Sequence, residues 1–168
     1  ALELSEAGFL PDLVAPLPGG GAWLIDRRDN RLARLWGMPL RDRPLAEYAP
    51  GVVRPCRENG DPPSIELRDD LSLPVSHDVI SLAVNARGEL AILLWPLPET
   101  GDAAIAVLSD NSLGEPMPLT GVIAPFSVGW VGPDRIALLM EAMSEALVFR
   151  LSPGAHTTTA VGERYPLN

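Results

Sequence analysis

Three stretches of this chain repeat one order of events, and that repetition limits the fold more than any single motif. They are DLVAPLPGGGAWLIDRRDNRLARL from Asp12, SLAVNARGELAILLWPLPETGDAAIAVL from Ser81 and FSVGWVGPDRIALLMEAMSEALVFRL from Phe126. Each opens with a short apolar run, passes a turn containing Gly, Pro or Asp, and continues as a second apolar run. A polar turn and a third apolar run follow. Short apolar runs bounded by such turn residues read as strands. The 18 prolines and 15 glycines are scattered along the chain, as many short strands require. The middle strands correspond as Ala22–Ile25, Leu90–Leu94 and Ile136–Met140. The strands beyond the polar turn correspond as Arg31–Leu35, Ala104–Leu108 and Ala146–Leu151.

Aligned at Gly21, Glu89 and Arg135, the units stand 68 and 46 residues apart. A period in the forties is the size of one four-stranded propeller blade. The expected fold is therefore all-β and propeller-like, a single domain over residues 1–168. It comprises three four-stranded antiparallel units at about 9–53, 78–121 and 122–168, with an inserted loop at about 54–77. The fourth strand is the faintest. Candidates are Leu45–Tyr48 or Ile65–Leu67, then Met117–Leu119, then Thr157–Val161. The segment IALLMEAMSEALVF, residues 136–149, taken alone reads as an amphipathic helix, with Glu141, Ser144 and Glu145 on one face. The parallel with the other units predicts a hairpin turning through Glu141–Glu145 instead. Closed propellers have about 4–8 blades. Three units therefore imply a piece of a ring, an open stack with covered edges, or a homodimer of three plus three.

The first unit resembles an NHL-type β-propeller repeat. The matching residues are Val14, Pro18–Gly19–Gly20, Trp23–Leu24–Ile25, Asp26 and Asn30–Arg31–Leu32. The second unit keeps the Gly88 turn and the third Gly132–Pro133–Asp134. The resemblance implies a propeller that binds proteins or RNA through its faces. Propellers of similar composition also occur beside bacterial phage-tail-like proteins, an association at the level of fold alone.

Charge narrows the partner. The net charge is −9. It divides as −3 over residues 1–70, with 12 acids and 9 arginines, and −6 over the remainder. Neither part is a basic footprint, so nucleic acid and anionic membrane surfaces are not expected partners. All 13 basic residues are arginine, which removes any lysine-dependent chemistry. Cys56 is the only cysteine, so no internal disulfide and no cysteine zinc site can form. The opening ALELSEAGFL has no basic leader, and no apolar run reaches the roughly 18 residues of a membrane span. A cytoplasmic location is the default expectation.

The knot between Asp26 and Arg31 reads as a turn. Asp26 and Asn30 can bond neighbouring amides, and Arg31 and Arg34 can pair with Asp26 or Asp29. Trp36 and Trp95 close their strands before Gly37 and Pro96. With Arg31 and Arg34 they are the candidate partner-binding residues. Trp23 and Trp130 are expected in the core. His77 and Asp78 adjoin, but on a strand they face opposite ways. His156 has no acid near it in the sequence. Asp69 and Asp70 with Asp61 or Glu58 could hold calcium, although a solvated loop is the simpler reading. Arg54 and Arg57 flank Cys56 and could lower its thiol pKa, but no histidine accompanies it. The expected function is a non-catalytic scaffold that binds protein, with no cofactor. The rival is a metal-dependent hydrolase of gluconolactonase-like type. Glu89, Asn85 and Asp134 are the nearest ligand candidates for it.

Overall fold

The computed structural model describes residues 8–18, 20–36, 64–97, 101–109, 112–140, 145–152 and 157–166. All regular structure among them is strand. The first sheet runs β1 (Leu13–Pro16), β2 (Ala22–Asp26), β3 (Arg31–Trp36) and β4 (Ser64–Leu67). The second runs β5 (His77–Val84), β6 (Leu90–Pro96), β7 (Ala104–Ser109) and β8 (Ser112–Leu113), with β9 (Met117–Pro118) also pairing β7. The third runs β10 (Pro125–Trp130), β11 (Arg135–Met140), β12 (Glu145–Ser152) and β13 (Thr157–Pro166). Every pairing is antiparallel between sequence neighbours, apart from the shared outer edge of the second sheet.

The three sheets carry one register. The first turn of each is closed by the same backbone bond: Leu17 N–H to Gly21 O at 3.1 Å, Asn85 N–H to Glu89 O at 3.0 Å, and Val131 N–H to Arg135 O at 3.0 Å. The acceptors are the residues at which the sequence units align. Pro16 opposes Ala22, Val84 opposes Leu90 and Trp130 opposes Ile136, at the same offsets. Even the β-bulge repeats, between Val79 and Ser81 in β5 and between Pro125 and Ser127 in β10. A bulge bends its strand and increases its twist. Equivalent bulges therefore give the second and third sheets similar curvature.

Successive sheets stack face to face. One core layer joins Trp23, Ile25 and Leu32 of the first sheet to Leu90, Ile92, Leu94 and Leu108 of the second. The next joins Ala91, Leu93, Ile105 and Val107 of the second to Ile136, Leu138, Met140 and Phe149 of the third. Within β6, neighbours therefore enter different layers, and Leu90 to Leu94 are all fully buried. That explains an unbroken apolar run in place of an alternating one. The first strands lie side by side, β5 against both β1 and β10. Trp130 Nε1 donates to Ala83 O at 3.0 Å across that junction. Sequential four-stranded sheets, stacked by their faces with first strands innermost, make the fold all-β and propeller-like.

Residues 136–149 form the hairpin, with Ile136 opposite Phe149 and Leu138 opposite Leu147. Two expectations need correction. Residues 54–77 are not wholly an inserted loop, because Ser64–Leu67 inside them is the first sheet's fourth strand. The alternative at 45–48 lies outside the described residues. The second sheet's fourth strand is split. Met117–Pro118 pairs where expected, but Ser112–Leu113 takes the other part of the edge. Two prolines interrupt this stretch and cannot donate to a ladder.

Candidate functional site

The hairpin β2–β3 sets the site. Its turn closes on the pair Asp26 and Arg31, so Trp23 must face Arg34 across the strands. Arg34 in turn faces Glu66 on β4. Trp36 lies two residues beyond Arg34, on the same face by the strand's period of two. That face looks toward the second sheet, because Trp23 belongs to the layer between the two. The Arg34 guanidinium carbon lies 5.0 Å from the Trp23 ring centre and 4.4 Å from that of Trp36. Both distances fall within cation–π range. Trp23 is buried, whereas Trp36 remains 41% exposed.

The neighbouring carboxylates are engaged elsewhere. Trp36 Nε1 donates to Glu66 Oε2 at 3.0 Å. Arg68 grips Asp70 with Nε to Oδ1 at 2.8 Å and NH2 to Oδ2 at 2.6 Å. Arg34 itself donates no hydrogen bond to any described residue, and its Nε is sealed from solvent. Burial, and then the charge of Arg68, lower the Arg34 pKa from its ordinary value, against the pull of Glu66. The arrangement is a fixed cation beside an exposed indole, with no hydrogen bond given to the described residues.

A cleft of about 450 Å³ opens from the Asp70 side. Asp70, Leu71 and Pro74 form one wall, and Leu113, Glu115 and Pro116 at the broken edge of the second sheet form the other. The bond from Arg68 holds the Asp70 carboxyl below its ordinary pKa. A depressed carboxylate stabilises the fold above its unfolded pKa of about 4, and the contribution is lost as pH falls through the lower folded value. Urea unfolding at stepped pH is expected to show wild type more stable than Asp70→Asn at neutrality. That advantage should fade below about pH 4. It should be small, since the Asp70 side chain is 62% exposed.

The knot after β2 is a turn with a second task. Asp26 is fully buried. Its Oδ1 accepts from Arg28 N–H at 3.1 Å, which fixes the turn, and its Oδ2 accepts from Leu10 N–H at 2.8 Å, which ties down the preceding segment. Asn30 takes the left-handed φ of 52°. Arg34 does not pair with Asp26 or Asp29 as the sequence suggested, because its side chain lies over the indoles. Arg31 reaches Asp69 at 3.3 Å and stands 5.9 Å from the Phe9 ring centre.

The remaining candidates disperse. Trp95 is half-buried against the layer between the second and third sheets, so it does not share a rim with Trp36. Trp130 packs in that same layer. His77 opens β5, its Nδ1 2.9 Å from Ser76 Oγ, and Asp78 faces Trp95 across the ladder. Asp69 and Asp70 are each bonded to an arginine. Cys56, Arg54, Arg57, Glu58, Asp61 and His156 lie outside the described residues.

Asn85 and Glu89 do meet, but as a turn clamp. Asn85 Oδ1 accepts from Arg87 N–H at 2.9 Å and Glu89 N–H at 3.0 Å, and Asn85 Nδ2 donates to Glu89 Oε2. Arg87 NH2 reaches Glu89 at 2.7 Å and Pro133 O at 2.7 Å. Asp134 pairs with Arg150 at 3.4 Å. Among the described residues, no three His, Cys, Asp or Glu side chains group around one point where an ion could sit. The hydrolase alternative gains no geometric support from them.

Fold and site together define a propeller-like β protein with an aromatic–arginine face. No family model matches the chain, and no curated protein matches it. Among solved structures, one described as "YCF48 bound to D1 peptide" is similar at 11% identity and a TM-score of 0.49. The alignment covers 89% of this chain and 38% of that one, so this chain spans under two fifths of that chain's length.

Proposed function

We propose that this chain is a non-catalytic module that binds a protein partner through the Trp36–Arg34 face of its first sheet. The observation that carries the reading is the exposed Trp36 indole, fixed by stacking on Arg34 and by its bond to Glu66. Exposed tryptophan and arginine held in place before binding lose little side-chain entropy when a partner arrives, and they are the residue types that dominate protein interfaces. The resemblance of the first unit to NHL-type repeats points the same way.

Selection of a phage-displayed random peptide library on the immobilised chain tests this. Peptides that bind wild type are expected to bind Trp36→Ala at least tenfold more weakly, the order of one interface anchor. Peptides that bind both proteins equally, or no enrichment over an unrelated control, would overturn the reading.

A further inference from the structure

We propose that Arg34 is the receptor for a single carboxylate of the bound partner, an inference that rests on the protein-binding reading above. The shared register shows how unusual this arginine is. The pair Trp23 and Arg34 in the first sheet occupies the place of Ala91 and Val107 in the second, and of Ala137 and Val148 in the third. Val107 and Val148 are both buried. The fold is therefore satisfied at this position by a small apolar pair, and it has no need of a guanidinium there.

Placing one there is costly. A half-buried cation gives up part of its hydration and draws compensation from counter-charge or hydrogen-bond acceptors. Among the described residues Arg34 receives the two indole faces and the charge of Glu66, but no acceptor that takes a hydrogen bond from it. Its strand-mate Glu66 stands opposite and supplies charge, but its Oε2 accepts from Trp36 and it takes no hydrogen bond from Arg34. The other acid at hand, Asp70, is held by Arg68. Nε is buried and without a hydrogen-bond partner among the described residues, whereas the residue as a whole is only half-buried and its terminal nitrogens donate to no described residue. The rings restrict the plane of the group, which leaves those terminal nitrogens as the donors a ligand can use. A planar fork of donors with a fixed orientation matches a carboxylate, through two parallel charge-assisted bonds.

The remainder of the chain limits the ligand further. A net charge of −9 opposes a run of acids. One carboxylate in an otherwise neutral or basic segment fits, either an Asp or Glu side chain or a C-terminal α-carboxylate.

The test uses the 15N-labelled chain and small carboxylates. The Arg34 Nε–H and Trp36 Nε1–H resonances are followed while N-acetylglycine, N-acetylaspartic acid α-amide, neutral N-acetylglycinamide, inorganic phosphate and sodium chloride are added at matched ionic strength. Saturable shifts from at least one acid, absent with the neutral amide and with chloride, are expected. A response to N-acetylglycine alone supports a chain terminus. A response to the aspartic derivative alone supports an internal acid. In Arg34→Gln the Trp36 response should disappear. In Arg34→Lys, which keeps the charge and loses the fork, it should weaken at least threefold. Acids acting no differently from chloride, a tighter response to phosphate, or an unchanged response in Arg34→Gln would each overturn the proposal. The selected peptides separate the two readings. If they depend on Trp36 but bind equally well without any carboxylate, the partner face stands and the role of Arg34 falls.

Discussion

Gly21→Ala is expected to cost roughly 3–5 kcal/mol, and much of the chain's stability with it. Gly21 has φ +80°, in the left-handed region, where an alanine costs about 1–2 kcal/mol. The greater part is steric. A Cβ at this position would stand 2.2 Å from the carbonyl oxygen of Leu35. That atom is backbone in a paired strand, so it cannot turn aside as a side chain would. Either β3 moves away from β2 or the turn after β1 opens. Gly88 is the control. It has φ +82°, but its added Cβ meets only a side-chain carbon of Leu17 at 3.8 Å. Gly88→Ala should therefore show the conformational cost alone, about 1–2 kcal/mol. Urea unfolding of the two variants beside wild type measures the difference. Equal losses would mean that the close approach to Leu35 is not part of the fold in solution.

Gly21 also shows how far the sequence could be read. It marked the alignment point of the first unit, and its counterparts Glu89 and Arg135 accept the same turn bond. Turn residues and apolar runs were enough to find that register, because they are local. The hairpin at 136–149 was legible only by analogy, since the polar residues near its tip happen to repeat at helical spacing. Strand β4 was harder still. Ser64–Leu67 is short, alternates between exposed and half-buried, and has strand character only because β3 lies beside it. At the site, the sequence named Trp36 and Arg34 but paired Arg34 with the wrong residues. The true neighbour was available in principle. A turn that closes Asp26 on Arg31 places Trp23 opposite Arg34 by counting alone. The engagement of Glu66 with Trp36, and of Asp70 with Arg68, depends on β4 and could not be counted. Trp95 packs half-buried against a neighbouring sheet, a contact that a tryptophan before a proline does not reveal in the sequence.

The same dependence on neighbouring sheets yields the second large effect. Leu93 in β6 and Leu139 in β11 occupy one position in the shared register, opposite Ser81 and Ser127 in turn. Their strands read alike, LAILLWP against RIALLM. Leu93 is fully buried in the layer that the third sheet helps to form. Leu139 faces away from that layer and is only half-buried. Leu93→Ala is expected to cost ~3 kcal/mol, and Ile92→Ala as much, although the two side chains enter opposite layers. Leu138→Ala should match them, because Leu138 is fully buried against the second sheet. Leu139→Ala should cost only ~1 kcal/mol, since a half-exposed side chain gives up less burial and its loss leaves no closed cavity. Thermal and urea unfolding of the four variants measures the contrast. A loss at Leu139 equal to that at Leu93 would show that the far side of the third sheet is packed as tightly as its near side. The expected inequality would show that β6 owes its double burial to its place between two sheets, and that an apolar run alone does not create one.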